Sequence, residues 1–285
     1  INGEGKKYDI PVAVGALATT PEIYSIGMGV PLENIGARWM HAIENPIPPL
    51  VIESPPCQEV IMQGESLKKG HGLESLPVPV STPGYDSAPY LAATIVITKD
   101  PETGIRNMGT YRGALKASDR LGVRMATRVG GAGGYLHWQK YQKLGEPMPC
   151  AIAVGVPPVV AYSGPQKLAV DQDEMGVAGA LANSPIRVAK AVTVDLEVPA
   201  DAEIVIEGFI DTELLEPEGP FGESHGYVAL EDFNMSMQVT AITRKRSPIF
   251  PSIVSQVTPS ESSVIKRVAY EPLFLNYLQE IVTCP

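Results

Sequence analysis

Residues 191–210 read Ala-Val-Thr-Val-Asp-Leu-Glu-Val-Pro-Ala-Asp-Ala-Glu-Ile-Val-Ile-Glu-Gly-Phe-Ile. From Val192 to Val198 apolar residues alternate with polar ones, the period of a strand with one face in a core and the other in water. Pro199-Ala200-Asp201 carries turn chemistry, and 202–210 resumes an apolar run. The stretch therefore predicts a hairpin of two strands, 191–198 and 202–210.

Short runs of the same kind recur on both sides, at 58–62, 90–98, 108–112, 151–156 and 235–243. Helical patterns fall at 32–43, 136–144, 172–182 and 261–280, and Thr20-Pro21 sets a capping residue before a proline at the first helical position. Pro46-Ile47-Pro48-Pro49 is unable to form a central strand and reads as a linker or edge. Strands dominate the middle and helices the ends, which predicts an α+β architecture on a mostly antiparallel barrel.

Composition narrows the function classes. In 285 residues, 44% are hydrophobic and 19% charged, the balance of a globular chain with a real core. There are 22 basic residues against 32 acidic ones, a net charge of −10, which suits neither nucleic acid nor an anionic membrane as partner. An anionic ligand therefore needs local arginines. Cys57, Cys150 and Cys284 are widely spaced and suggest no disulfide framework or zinc site, so a reducing, cytoplasmic setting is expected. No apolar run is long enough for a membrane span. The chain opens on Ile1 rather than Met, as a processed or partial chain does.

Four clusters carry candidate chemistry. In Asn107-Met108-Gly109-Thr110-Tyr111-Arg112, Gly109 permits close approach of a ligand and Arg112 can grip a carboxylate or phosphate in a two-pronged fork; an edge strand with a surface arginine is the plainer alternative. Gly130-Gly131-Ala132-Gly133-Gly134, preceded by Arg124 and Arg128, can form an anion nest or a simple loop. Asp171-Gln172-Asp173-Glu174 resembles a capping box, and a carboxylate on that first turn can also join an amide oxygen such as Asn107 around a hard divalent cation. Glu218-Gly219-Pro220-Phe221-Gly222-Glu223 sets two glutamates about a turn that can deliver both to one pocket, where paired acids beside an arginine suit proton transfer; a solvated acidic turn is the alternative. His137, on a helical pattern, is either structural or a metal ligand, and Cys150 reads as core.

In this order the clusters resemble the UbiD family of decarboxylases. The likeness rests on Asn-x-Gly-x-Tyr-Arg at 107–112, Arg124, the glycine-rich stretch, Pro147-Met148-Pro149, Glu174, Asp195-Leu196-Glu197-Val198-Pro199-Ala200 and Glu-Gly-Pro-Phe-Gly-Glu at 218–223, and it spans nearly the whole chain. It implies a central flavin-binding split β-barrel with partial flanking α/β elements: a partial N-terminal segment at 1–45, the barrel at 46–250, and at 251–285 a helix leading toward a further domain. It implies prenylated FMN as cofactor, supplied by a flavin prenyltransferase and lined by Thr110, Tyr111, Arg112, Arg124, Met125, Ala126, Gly130 and Gly131. Asn107 and Glu174 are implied ligands of a divalent cation, usually Mn2+, with K+ a further possibility. Glu223 matches the family's proton donor, tuned by Arg112 and Glu218. The implied reaction is reversible nonoxidative decarboxylation of an aromatic or α,β-unsaturated carboxylic acid, with the cofactor carrying the covalent chemistry and the protein orientation and protons. A homo-oligomer is expected.

This chain departs from the family pattern in three ways. The histidine that some members use as a third metal ligand falls by spacing within 130–134, so His137 is offset from it. Val129 stands where some members carry arginine before the glycine pair. The chain is also shorter than most members. Two other readings stay open: a noncatalytic flavin-binding subunit or fragment, and a conventional FMN oxidoreductase.

Overall fold

The structure, a computed structural model, describes residues 5, 7–127, 131–169, 172–223, 225–229, 232–254 and 257–281. In chain order the main elements are helices α1 (Pro21–Met28) and α2 (Ile35–Glu44), strands β1 (Val60–Gln63), β2 (Tyr90–Leu91), β3 (Thr94–Lys99), β4 (Arg106–Gly109), β5 (Gly113–Ala117) and β6 (Arg120–Val123), helix α3 (Gly133–Leu144), strand β7 (Met148–Val154), helices α4 (Pro158–Ser163) and α5 (Glu174–Ala182), strands β8 (Ile204–Glu218) and β9 (Asp232–Arg244), and helix α6 (Glu261–Ile281).

The nine strands form one sheet in the order β2-β5-β6-β9-β8-β7-β3-β4, with β1 also on β9, and every pairing is antiparallel. The expected single strand at 90–98 is split in two. β2 and β3 lie two residues apart in sequence, yet five strands stand between them in the sheet. The sheet thus curls until its far side returns to the same stretch of chain. Ala92 and Ala93, in neither ladder, mark where the chain changes partner from β5 to β7.

Both faces of the central strands are apolar. On β7 and β8, Cys150, Ile152, Val154, Ile204, Ile206 and Ile210 enter one core cluster inside the curl. Ala151, Ala153 and Val205 point the other way, into a second cluster with Tyr24 of α1, Trp39 of α2, Val160 of α4, Val177 of α5 and Val264 of α6. The alanines leave room for helices to approach the outer face. Residues on both sides of positions 45 and 250 share this second core, and Val12–Val14 pairs in parallel with Phe250–Ser252. Gly36 of α2 meets α6 so closely that a Cβ there would lie 2.6 Å from Pro272.

The predicted hairpin at 191–210 is only half present. Residues 204–210 do lie in β8, which runs on to Glu218. The alternating 192–198 stretch is not a strand except at its end, Glu197–Pro199, which pairs with Arg187–Lys190 rather than with β8. The reason is a fully buried carboxylate: Val192 N and Thr193 N donate to Glu207 at 3.0 and 2.7 Å, and the Thr193 hydroxyl adds 2.9 Å. The loop folds over Glu207 to satisfy it, as a buried charge requires. Val194, Leu196 and Val198 are nonetheless buried, so the alternation records burial without a ladder. Strand 108–112 also ends early, at Gly109, which frees 110–112 from the sheet.

Candidate active site

The curl of the sheet, α3, the start of α5 and the first turns of α6 surround a cavity of about 1320 Å³. At one end stands Arg112. Its Nε and Nη2 donate to the two carboxylate oxygens of Glu218 at 2.8 and 2.9 Å, and its Nη1 donates to Glu223 Oε1 at 2.6 Å. Arg124 Nε lies 3.5 Å from Glu218. The Glu218 side chain is fully enclosed, whereas that of Glu223 is 32% exposed. Burial pulls the Arg112 pKa down, but the two carboxylates outweigh it and hold the guanidinium above the ordinary arginine value.

Local structure explains this meeting. Glu218 is the last residue of β8, and Gly219 turns so tightly that a Cβ would lie 2.2 Å from Ser87. Phe221–Gly222 then pairs with Val228–Ala229, and Glu223 N donates to Tyr227 O at 2.8 Å, fixing the acid at the head of a small hairpin. The Phe221 ring sits 5.0 Å from the Arg112 guanidinium carbon and 4.4 Å from the ring of Tyr90.

A second group on the cavity wall contains a carboxylate that, among the described residues, forms no ion pair. Asn107 lies in β4 and Glu174 opens α5; Met108 N donates to Glu174 Oε2 at 2.9 Å. The amide oxygen of Asn107 occupies the space over Gly133, where a Cβ would come within 1.9 Å. Its Nδ2 donates to the Tyr111 hydroxyl at 3.4 Å. His137 of α3 is buried, its Nδ1 2.9 Å from the Thr98 hydroxyl. Burial pushes Glu174 up to about 7, and pushes His137 down to about 4 although Asp100 opposes it. Asn107, Glu174 and His137 line the same cavity. An amide oxygen, a carboxylate and a neutral imidazole form a donor set suited to Mn2+ or a similar divalent ion. Among the described residues no group of three or more His, Cys, Asp and Glu is placed to hold a metal ion.

Thr110, Tyr111, Arg112, Arg124, Ala126 and Gly131 all reach the cavity wall. Met125 does not: its side chain is fully buried in the core inside the curl, leaving only its backbone near the site. Gly130, Arg128 and Asp171 lie outside the described residues, and the capping role expected of Asp171 belongs to Asp173, whose carboxylate accepts from Met175 N at 2.9 Å. Sequence reasoning missed Thr98, Arg106 and Tyr90 as supporting residues. Only Arg106 left a signal, its place beside Asn107. No helix among the described residues is long and apolar enough to cross a membrane.

Known proteins resemble the chain in sequence and in fold. Residues 50–257 match the UbiD family, described as the 3-octaprenyl-4-hydroxybenzoate carboxy-lyase Rift-related domain. An uncharacterised Synechocystis protein is 31% identical over 299 residues, 95% of this chain and 58% of that protein. One from Aquifex aeolicus is 36% identical over 239 residues, 82% of this chain and 47% of that protein. The chain thus spans about half the length of these curated relatives. The structure of the UbiD-class enzyme HmfF from Pelotomaculum thermopropionicum, as an evolved dimer in complex with prFMN, superposes with a TM-score of 0.87 at 33% identity, covering 96% of this chain and 61% of that one. The vanillic acid decarboxylase of Sedimentibacter hydroxybenzoicus in closed form gives 0.85 at 25% identity, over 96% and 59%. With the family model matching residues 50–257, the chain belongs to the UbiD family.

Proposed function

We propose that this chain forms the flavin-binding part of a decarboxylase that uses prenylated FMN on an aromatic or α,β-unsaturated carboxylic acid. One observation carries the reading: Arg112 joins Glu218 and Glu223 on the edge of a cavity large enough for a flavin, a cavity that Asn107 and Glu174 also line. The complex of the related HmfF with prFMN supports the choice of cofactor. The curled nine-stranded sheet is then a split barrel.

Prenylated FMN, when bound, supplies the electron sink for cleavage of the carbon–carbon bond. Asn107 and Glu174 would hold Mn2+, with His137 as third ligand and K+ as a further ion. Thr98 fixes the His137 ring through Nδ1, which leaves its other nitrogen for a metal. Thr110, Tyr111, Ala126 and Gly131 shape the cofactor wall. Glu223 is the more exposed of the two acids and faces the cavity, which makes it the one placed to deliver a proton to the substrate. As the substrate carboxylate departs as CO2, Glu223 gives the proton to the carbon left behind, and solvent returns it. Glu218, enclosed behind Arg112, holds the guanidinium in place. A flavin prenyltransferase supplies the cofactor, and the exposed Phe274, Leu275 and Tyr277 of α6 favour contact with a further domain or a second copy.

Native mass spectrometry of the chain, co-expressed with a flavin prenyltransferase and supplied with Mn2+, should show one prenylated FMN and one divalent ion. Glu223→Gln should keep both and lose CO2 release from a panel of unsaturated and aromatic acids. Absence of flavin here and in a polypeptide of the relatives' full length would overturn the assignment.

A further inference from the structure

Arg106 precedes Asn107, and Asp173 precedes Glu174. The two flanking residues are joined: Arg106 Nη2 donates to Asp173 Oδ2 at 3.0 Å, and Arg106 Nη1 donates to Glu197 Oε2 at 3.2 Å. The Arg106 side chain is only 13% exposed. The other oxygen of Asp173 caps α5 by accepting from Met175 N. One carboxylate therefore starts the helix that carries Glu174 and anchors that helix to the strand that carries Asn107. On the far side of Asn107, Met108 N reaches Glu174 itself at 2.9 Å. Residues 106 and 108 thus grip 173 and 174, and Asn107 lies between the two grips.

The third arm explains a motif that the cavity leaves unused. Glu197 belongs to Asp195-Leu196-Glu197, and neither acid lines the cavity. Asp195 pairs with Lys99, which lies directly opposite Arg106 in the β3–β4 ladder. The 192–198 loop is itself tied down on buried Glu207. Arg106 is therefore held between a helix start and a loop that is anchored elsewhere, so its position is set from two independent elements.

We infer that Arg106 is a positioning residue that fixes the separation of the Asn107 and Glu174 oxygens for a divalent cation. The inference rests on the metal role proposed above for those two residues. A hard cation needs its oxygen donors at a set distance, and losing an outer partner that orients ligands weakens binding by about 10- to 100-fold.

The test is Mn2+ binding by the chain in the presence of FMN, read from the EPR signal of free Mn2+. Arg106→Gln should raise the Mn2+ dissociation constant by about tenfold or more. Asp173→Asn removes the same link while keeping a capping oxygen, so it should act alike and stands in if Arg106→Gln fails to fold. Arg106→Lys, which keeps a charge for one carboxylate, should recover part of the affinity. FMN affinity without Mn2+ should be unchanged in Asp173→Asn, since Asp173 does not line the cavity, which separates positioning from general loosening of the fold. Mn2+ binding within twofold of the parent in both Arg106→Gln and Asp173→Asn, while Asn107→Ala abolishes it, would reject the positioning role alone. A parent chain that binds no Mn2+ would reject the metal reading, and the inference with it.

Discussion

Glu218 and Glu174 are both buried carboxylates beside one cavity, and they are held by opposite means. Glu218 meets a complete fork from Arg112 and a second arginine, Arg124, at 3.5 Å. Glu174 meets one backbone N–H, and burial dominates its chemistry enough to lift its pKa to about 7. His137, near that end, is likewise held neutral by burial. The charge-rich end is complete with protein groups alone. Glu174 forms no ion pair among the described residues, which is why the proposed cation is assigned to that side. The two carboxylates therefore differ in what removal of a partner should do to the fold.

The sharpest way to break this contrast is to remove Arg112. Arg112→Met should leave Glu218 enclosed with only the longer contact to Arg124, at a cost of about 3–5 kcal/mol in urea unfolding. Adding Glu218→Gln should recover much of that loss, because the stranded charge is then gone. A loss below about 1 kcal/mol in the single variant, the scale of a surface pair, would show that the pair is not enclosed as described.

The region of Glu174 and His137 should respond to pH instead. His137 titrates near 4 in the fold against an ordinary value of 6.5. Between those values the unfolded chain takes up a proton that the folded chain refuses. The His137 contribution to the stability of the metal-free chain should therefore be fully present above pH 6.5 and be lost as the pH drops to 4, by up to about 3 kcal/mol, while Glu174, pushed up to about 7, acts in the opposite sense over the same range. Urea titrations of the parent and of His137→Gln at several pH values should therefore differ by that contribution, the variant losing less stability on acidification. An unchanged pH dependence in the variant would move the effect to other groups.

Much of the charge-rich end was legible in the sequence. Arg112, Glu218 and Glu223 stand in compact motifs whose glycines and turns mark a site. The supporting shell was hidden because its partners come from distant segments: Thr98 meets His137 across 39 positions, and Arg106 meets Asp173 across 67. The fold was legible as strands and helices, but not in its closing step. Nothing in Tyr90-Leu91-Ala92-Ala93-Thr94 says that the chain leaves one ladder and joins another. The 192–198 alternation misled for a related reason. Burial of every second residue looks the same in a strand and in a loop laid over Glu207, and only the tertiary partner distinguishes them.

The smallest expected effect refines the charge-rich end. Phe221 lies with its ring 5.0 Å from the Arg112 guanidinium carbon and against Tyr90. Phe221→Leu keeps an apolar side chain there and removes the ring, so it should cost about 1 kcal/mol from lost cation–π and aromatic contact. Its signature should be coupling. In the background of Arg112→Met the same change should cost less, since the cation it faces is absent. Equal costs in both backgrounds would mean that Phe221 serves packing alone, and that Glu218 and Glu223 hold Arg112 without help from the ring.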